Sequence, residues 1–118
     1  MPTENREPAR DPQDLERLLV ARQHAGDVEG MVALFAPDAV VDTADGELRR
    51  GHVAIRVFFA DYVASGRKFQ MGAQLPAVIN GDLALTATRL PDGTVTAEVA
   101  RRQPDGTWLW AIDKYSNG

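Results

Sequence analysis

The chain has 118 residues, 44% apolar and 25% charged, with a formal net charge of −4. That is the size of one domain, with enough apolar matter for one core and too much for a disordered chain. Cysteine is absent, which excludes disulfides, thiolate metal sites and cysteine nucleophiles; the scattered basic residues make no nucleic-acid footprint, and no apolar run reaches the roughly 18–20 residues of a membrane span.

Residues 1–10 are polar, carry two prolines and have little to bury, so they are expected to form a flexible arm. They lack the apolar stretch of a signal peptide, which makes the cytoplasm the expected compartment. A first helix is predicted from Asp11 as N-cap and Pro12 as its first residue, with Leu15, Leu18 and Leu19 on one stripe and Gly26 as terminator. Asp27 is placed to cap a second short helix carrying Val28, Met31, Val32 and Phe35, which Pro37 stops. Ala39–Val41 form a short predicted strand. A third helix runs from about His52 to Val63, with Ile55, Phe58, Phe59 and Tyr62 on one face and Gly66 beyond its end.

The second half changes period. Phe69–Ile79, Leu83–Leu90, Val95–Arg102 and Trp108–Tyr115 have strand character, separated by Asn80-Gly81-Asp82, Pro91-Asp92-Gly93 and Pro104-Asp105-Gly106. Those separators are turn formers, since glycine supplies positive φ and proline presets the first turn position. Three helices followed by an antiparallel meander make an α+β order rather than βαβ.

Three stretches resemble one known family. Ala25 to Asp42, AGDVEGMVALFAPDAVVD, is similar to the opening of ketosteroid isomerases and SnoaL-like polyketide cyclases of the nuclear transport factor 2 superfamily. Arg50 to Phe59, RGHVAIRVFF, resembles the family's third helix, and DGTWLWAIDKYSNG resembles the last strand of small members. The likeness spans roughly residues 12–116. It implies a cone-shaped cystatin-like roll: three N-terminal helices on a strongly curved antiparallel sheet that encloses a pocket, as one domain over residues 11–118.

Carried over residue by residue, the resemblance implies Asp42 and Glu98 as catalytic acids, with Leu19, Phe58, Asp113 and Tyr115 lining the ligand site. The departures from the isomerase pattern are visible. Without gaps the base position falls on Thr43, beside Asp42, and the first-helix tyrosine position falls on Leu19, which cannot donate a hydrogen bond. Alternation along TVTAEVARR sets Thr94, Thr96, Glu98, Ala100 and Arg102 against the more apolar Val95, Ala97 and Val99, so hydropathy alone leaves Glu98 in water. The last strand holds the same conflict. Hydropathy makes Trp108, Trp110 and Ile112 the core face; the family pattern puts Asp113 and Tyr115 in the cavity and the tryptophans outside.

His24 suits a helix C-terminus and His52 a helix start, both structural positions without an acid cluster for a metal. Arg89, Arg101 and Arg102 are placed to bind an anionic substrate or, as arginines on an antiparallel sheet more often do, to form a solvated face. The resemblance thus implies cofactor-free and metal-free proton transfer, of isomerase or cyclase type, on a small apolar polyketide- or steroid-like carbonyl compound. The alternatives are a pocket that binds without turnover, or a dimeric assembly module. A homodimer through the outer sheet face at Trp108 and Trp110 is expected, with no nucleic-acid or membrane partner.

Overall fold

The computed structural model describes residues 6–43 and 45–116, the side chains of Tyr115 and Ser116 excepted. Helices α1 (Asp14–His24) and α2 (Val28–Val32) lead into strands β1 (Phe35–Asp42) and β2 (Leu48–Arg50), and α3 (Gly51–Ala64) follows. Strands β3 (Ala73–Gln74), β4 (Val78–Asn80), β5 (Leu83–Arg89), β6 (Val95–Arg102) and β7 (Trp108–Ser116) complete the order. The sheet runs β2-β1-β7-β6-β5-β3, with β4 also paired to β5. It is a curved, unclosed sheet under three helices, a mixed α+β fold. All pairings are antiparallel except β1 with β7, which run parallel because the intervening chain crosses the helical layer.

Local chemistry explains most boundaries. Asp27 caps α2 by accepting from the Gly30 amide at 3.0 Å, while its carboxylate is held bidentately by Arg6. Gly26 adopts φ 71°, the left-handed turn between α1 and α2 that a side chain would strain. The Asp11 carboxylate accepts from the Gln13 amide at 2.9 Å, so it caps a turn, and α1 begins at Asp14, two residues later than the expected start at Pro12. Phe35, expected on the second helix, opens β1 instead, where its ring packs on Trp110 and Phe59 at centroid distances of 5.1 and 5.6 Å.

Two segments differ from expectation. Residues 6–10 are docked rather than free: Ala9 is buried and its carbonyl accepts from the Trp108 amide at 2.8 Å. Residues 1–5 lie outside the described residues. The expected Phe69–Ile79 strand is broken into β3 and β4 around Pro76, and residues 67–72 run as a strap beside α1. Gln23, almost wholly buried, clamps one end of the strap through the Arg67 carbonyl (2.8 Å) and the Phe69 amide (2.9 Å). At the other end Gln13 donates to the Leu75 carbonyl and Gln74 to the Gln13 carbonyl, at 2.9 and 3.0 Å. Gly72 permits the close pass between them, since a Cβ there would lie 2.5 Å from the Arg89 carbonyl oxygen.

Candidate functional site

Register places side chains of β5, β6, β7 and β1 in rows across the sheet. On the face under the helices one row is Thr86, Glu98, Asp113 and Val41; the next is Ala84, Ala100, Trp110 and Phe35. All eight are buried. On the opposite face Leu85, Val99, Ile112 and Val40 form one row and Ala87, Ala97, Lys114 and Asp42 another.

A bulge lets both readings of the last strand hold in part. Val99 pairs with Ile112 and Ala100 with Trp110, so Ala111 is an extra residue opposite no partner. One unpaired residue reverses the alternation. Trp108 and Trp110 before the bulge and Asp113 after it therefore all face inward, while Ile112 is half exposed on the outside. The expectation that the tryptophans lie on the outer face is corrected: at 5% and 1% exposure they are core. The Tyr115 backbone pairs with Thr96, but its side chain is outside the described residues.

Glu98 is buried on the inner face, against the hydropathy of its strand. Its Oε1 accepts from the Thr86 hydroxyl at 2.7 Å, and directly opposite on β7 stands Asp113. Like charges so placed repel. Glu16, from α1, is the third acid. Burial pushes the Glu16 carboxyl up to about 7, and the neighbouring Glu98 pushes it the same way. Burial raises Glu98, with the nearby hydroxyls of Thr96 and Thr86 offsetting part of it. Asp113 is raised well above the usual carboxylate range, first by burial and then by the charges of Glu98 and Glu16. Among the described residues, no basic side chain shifts any of the three. Desolvation without a counter-charge favours the neutral acid.

Two small hollows flank Glu16. One of about 10 Å³ is lined by Gln13, Glu16, Gln74, Thr86, Glu98 and Trp110 among others. The second, about 40 Å³, is lined by Glu16, Leu19, Phe69, Gln70, Leu90 and Thr96. Larger hollows of about 240 to 330 Å³ lie elsewhere. The one at the N-terminal segment includes Arg6 and Arg22, whose guanidinium groups are already taken by Asp27 and by the Gly30 and Glu7 carbonyls. The one at Asp82 and Arg102 is a turn closed by their own ion pair. The convergent acids therefore mark the site, not the largest space.

Of the expected site residues, Glu98 lines the first hollow and Leu19 the second, with Glu16 common to both; Asp113 is buried opposite Glu98 and lines neither. Asp42 and Phe58 stand apart from both hollows. Asp42 sits in the outer row beside Lys114, 3.5 Å away, because Val41, its neighbour, takes the inward position. Phe58 packs on Phe59 and Tyr62 and under the Arg49 guanidinium, and lines neither hollow. Glu16 was missed, although Pro12, Glu16, Leu19 and Gln23 share one helical stripe. Polar residues inside an apolar stripe were the available signal. His24 and His52 contact the Phe69 and Phe35 carbonyls at 2.6 and 2.8 Å, structural roles. Among the described residues no group of three or more His, Asp or Glu side chains is arranged to hold a metal ion, and no helix is long and apolar enough to cross a membrane.

Residues 15–115 match the SnoaL-like domain family. The chain belongs to that family. Solved structures agree on the fold of this SnoaL-like domain. A Mycobacterium tuberculosis protein of unknown function superposes with a TM-score of 0.74 at 21% identity, over 90% of this chain and 69% of that one. A cystatin-like domain of unknown function from Nostoc punctiforme gives 0.71 at 21%, over 89% and 74%. A ketosteroid isomerase-like protein from Erwinia carotovora gives 0.71 at 14%, over 88% and 91%.

Proposed function

We propose that this SnoaL-like domain holds a small, neutral, largely apolar carbonyl compound beneath α1 and exchanges protons with it. Glu16 is the general acid–base, and Glu98 and Asp113 act as neutral hydrogen-bond donors. The observation that carries this reading is the convergence of three carboxyl groups beneath the helices with no cation acting on them among the described residues. An anionic ligand would find no counter-charge there. A carbonyl oxygen would meet protonated acids, and donors fixed in a dry site stabilise the charge that grows on oxygen during enolisation. A base that titrates near neutrality is matched to proton transfer at working pH. The hollows beside Glu16 are small, so entry of a ring compound displaces the strap or α1.

The test is exchange of the α-protons of cyclohexanone for deuterium, followed by NMR. The wild type accelerates it; Glu16→Gln loses the acceleration by about 10²-fold or more, and Asp42→Asn keeps it. Full exchange in Glu16→Gln would end the catalytic reading, and binding without exchange in the wild type would leave a carrier.

The outer sheet face supports a second copy as partner, at residues other than the tryptophans. Val78, Leu85 and Ile112 are 67%, 53% and 51% exposed and join Val99 in one cross-strand row. Such an apolar row is the kind of surface that a partner covers. Sedimentation equilibrium should find a dimer that Leu85→Lys converts to monomer; a monomeric wild type sinks this reading.

A further inference from the structure

Among the described residues, four buried side-chain polar atoms have no hydrogen-bond partner: Arg49 Nε, Thr96 Oγ1, Trp110 Nε1 and Asp113 Oδ1. Arg49 engages Asp45 and Glu47 through its other nitrogens. The Thr96 hydroxyl stands by the Glu98 carboxyl; the other two, of Trp110 and Asp113, belong to the inner face of β7, and each of those residues is at most 3% exposed. Native interiors leave few such atoms unpaired, and a cluster of them calls for something that supplies the missing partners.

Their chemistry says what that is. An indole N–H donates and cannot accept. Trp110 lines the same hollow as Glu16, Glu98 and Gln74. Its ring is fixed by Phe35 at 5.1 Å, and its backbone by the bond from its amide to the Leu34 carbonyl at 2.9 Å. Gln13 and Gln74, the amides on that hollow, give their NH₂ groups to the backbone carbonyls of Leu75 and Gln13, while Leu19, beside the second hollow, has no donor to give. Trp110 is thus an immobile donor next to the acids and still without an acceptor.

We propose that the Trp110 indole N–H is the donor that recognises the ligand's acceptor oxygen, so that the site selects ring compounds bearing a carbonyl over hydrocarbons of the same shape. This rests on the carbonyl-pocket reading and adds the residue that sets its selectivity. Trp110 orients the oxygen toward the acid row of Glu98 and Asp113. Shape alone would not discriminate between a carbonyl oxygen and a methylene group. An otherwise unpaired donor does, because only the oxygen satisfies it.

The experiment compares cyclohexanone with methylenecyclohexane, its near-isostere lacking the oxygen. The chain has two tryptophans, so the ¹⁵N–¹H spectrum carries two indole resonances, assigned by the one that Trp110→Phe or, if that variant does not fold, Trp108→Phe removes. Cyclohexanone is expected to move the Trp110 indole proton downfield and methylenecyclohexane to leave it in place. Trp110→Phe should weaken cyclohexanone binding about tenfold and the hydrocarbon little, the loss of one hydrogen bond. Cyclohexanone binding with an unmoved indole proton, or an equal loss for both ligands in Trp110→Phe, overturns the assignment of Trp110 and leaves the carbonyl pocket standing. Should the wild type bind no cyclohexanone, the pocket reading itself fails and this proposal with it.

Discussion

The two faces of the β5–β6–β7 sheet have exchanged the chemistry expected of them. The inner face, roofed by helices, carries Thr86, Thr88, Thr96, Glu98 and Asp113, all buried. The outer face carries Leu83, Leu85 and Ile112, each at least 44% exposed. A monomer that only minimised exposed apolar area would be built the other way round. Polar groups kept dry under a roof are costly unless something uses them, and apolar groups left wet are tolerated where something covers them. The inversion is what the proposed proton-transfer site inside and the proposed second copy outside would both require.

The comparison can be broken most drastically at its pivot. Deleting Ala111 removes the bulge and forces either the tryptophans or Asp113 through the sheet, and loss of the cooperative thermal transition is expected by circular dichroism. Next in size, Trp110→Ala should destabilise by about 3–5 kcal/mol. Ile112→Ala, two residues along the same strand but on the other face, should change the stability of the isolated chain by no more than about 0.5 kcal/mol. Urea unfolding at a concentration where the chain is monomeric checks the pair, and equal losses would refute the facing assigned here.

The acid row gives a sign as well as a size. Glu16, Glu98 and Asp113 have carboxyl groups raised on folding, so the native state holds protons that the unfolded chain releases above the ordinary carboxylate range. The stabilisation is present below that range and is lost as pH rises through the folded values, around 7 for Glu16. Stability should fall by about 2 kcal/mol between pH 5 and pH 8 and less in Glu16→Gln, measured by urea midpoints. Asp27 and Glu29, lowered by Arg6 and Arg56, act oppositely and weaken the fold toward acid. The smallest effect belongs to Asp42→Asn. Its contact with Lys114 is long and near the surface, and a change within about 1 kcal/mol is expected.

Much of the architecture could be read along the chain, since it depends on neighbours in sequence. The Asp27 cap, the end of α1 near Gly26, the span of α3 and the three turn-bounded strands β5, β6 and β7 all follow from local signals. The pieces that failed were set from a distance. Phe35 has helix-like spacing but joins β1 because Trp110 and Phe59 receive its ring there. Residues 67–72 have strand composition, yet they run beside α1 under the clamps of Gln23, Gln13 and Gln74. Within the site, Glu98, Asp113 and Leu19 came from the resemblance. Glu16 was hidden because an acid on a helix is ordinarily solvated, and only the sheet beneath it makes it half-buried.

By itself the sequence determined a single α+β chain of three helices and a strand-rich second half, with acids on its last strands. Whether an acid faces water or the interior was decided only in three dimensions. Side-chain direction in a strand has period two, so a single unpaired residue reverses it, and nothing local marks Ala111 as that residue. The bulge exists because β6 and β7 must keep both Trp110 and Asp113 beneath the helices. That requirement belongs to the assembled sheet and to no segment of the chain.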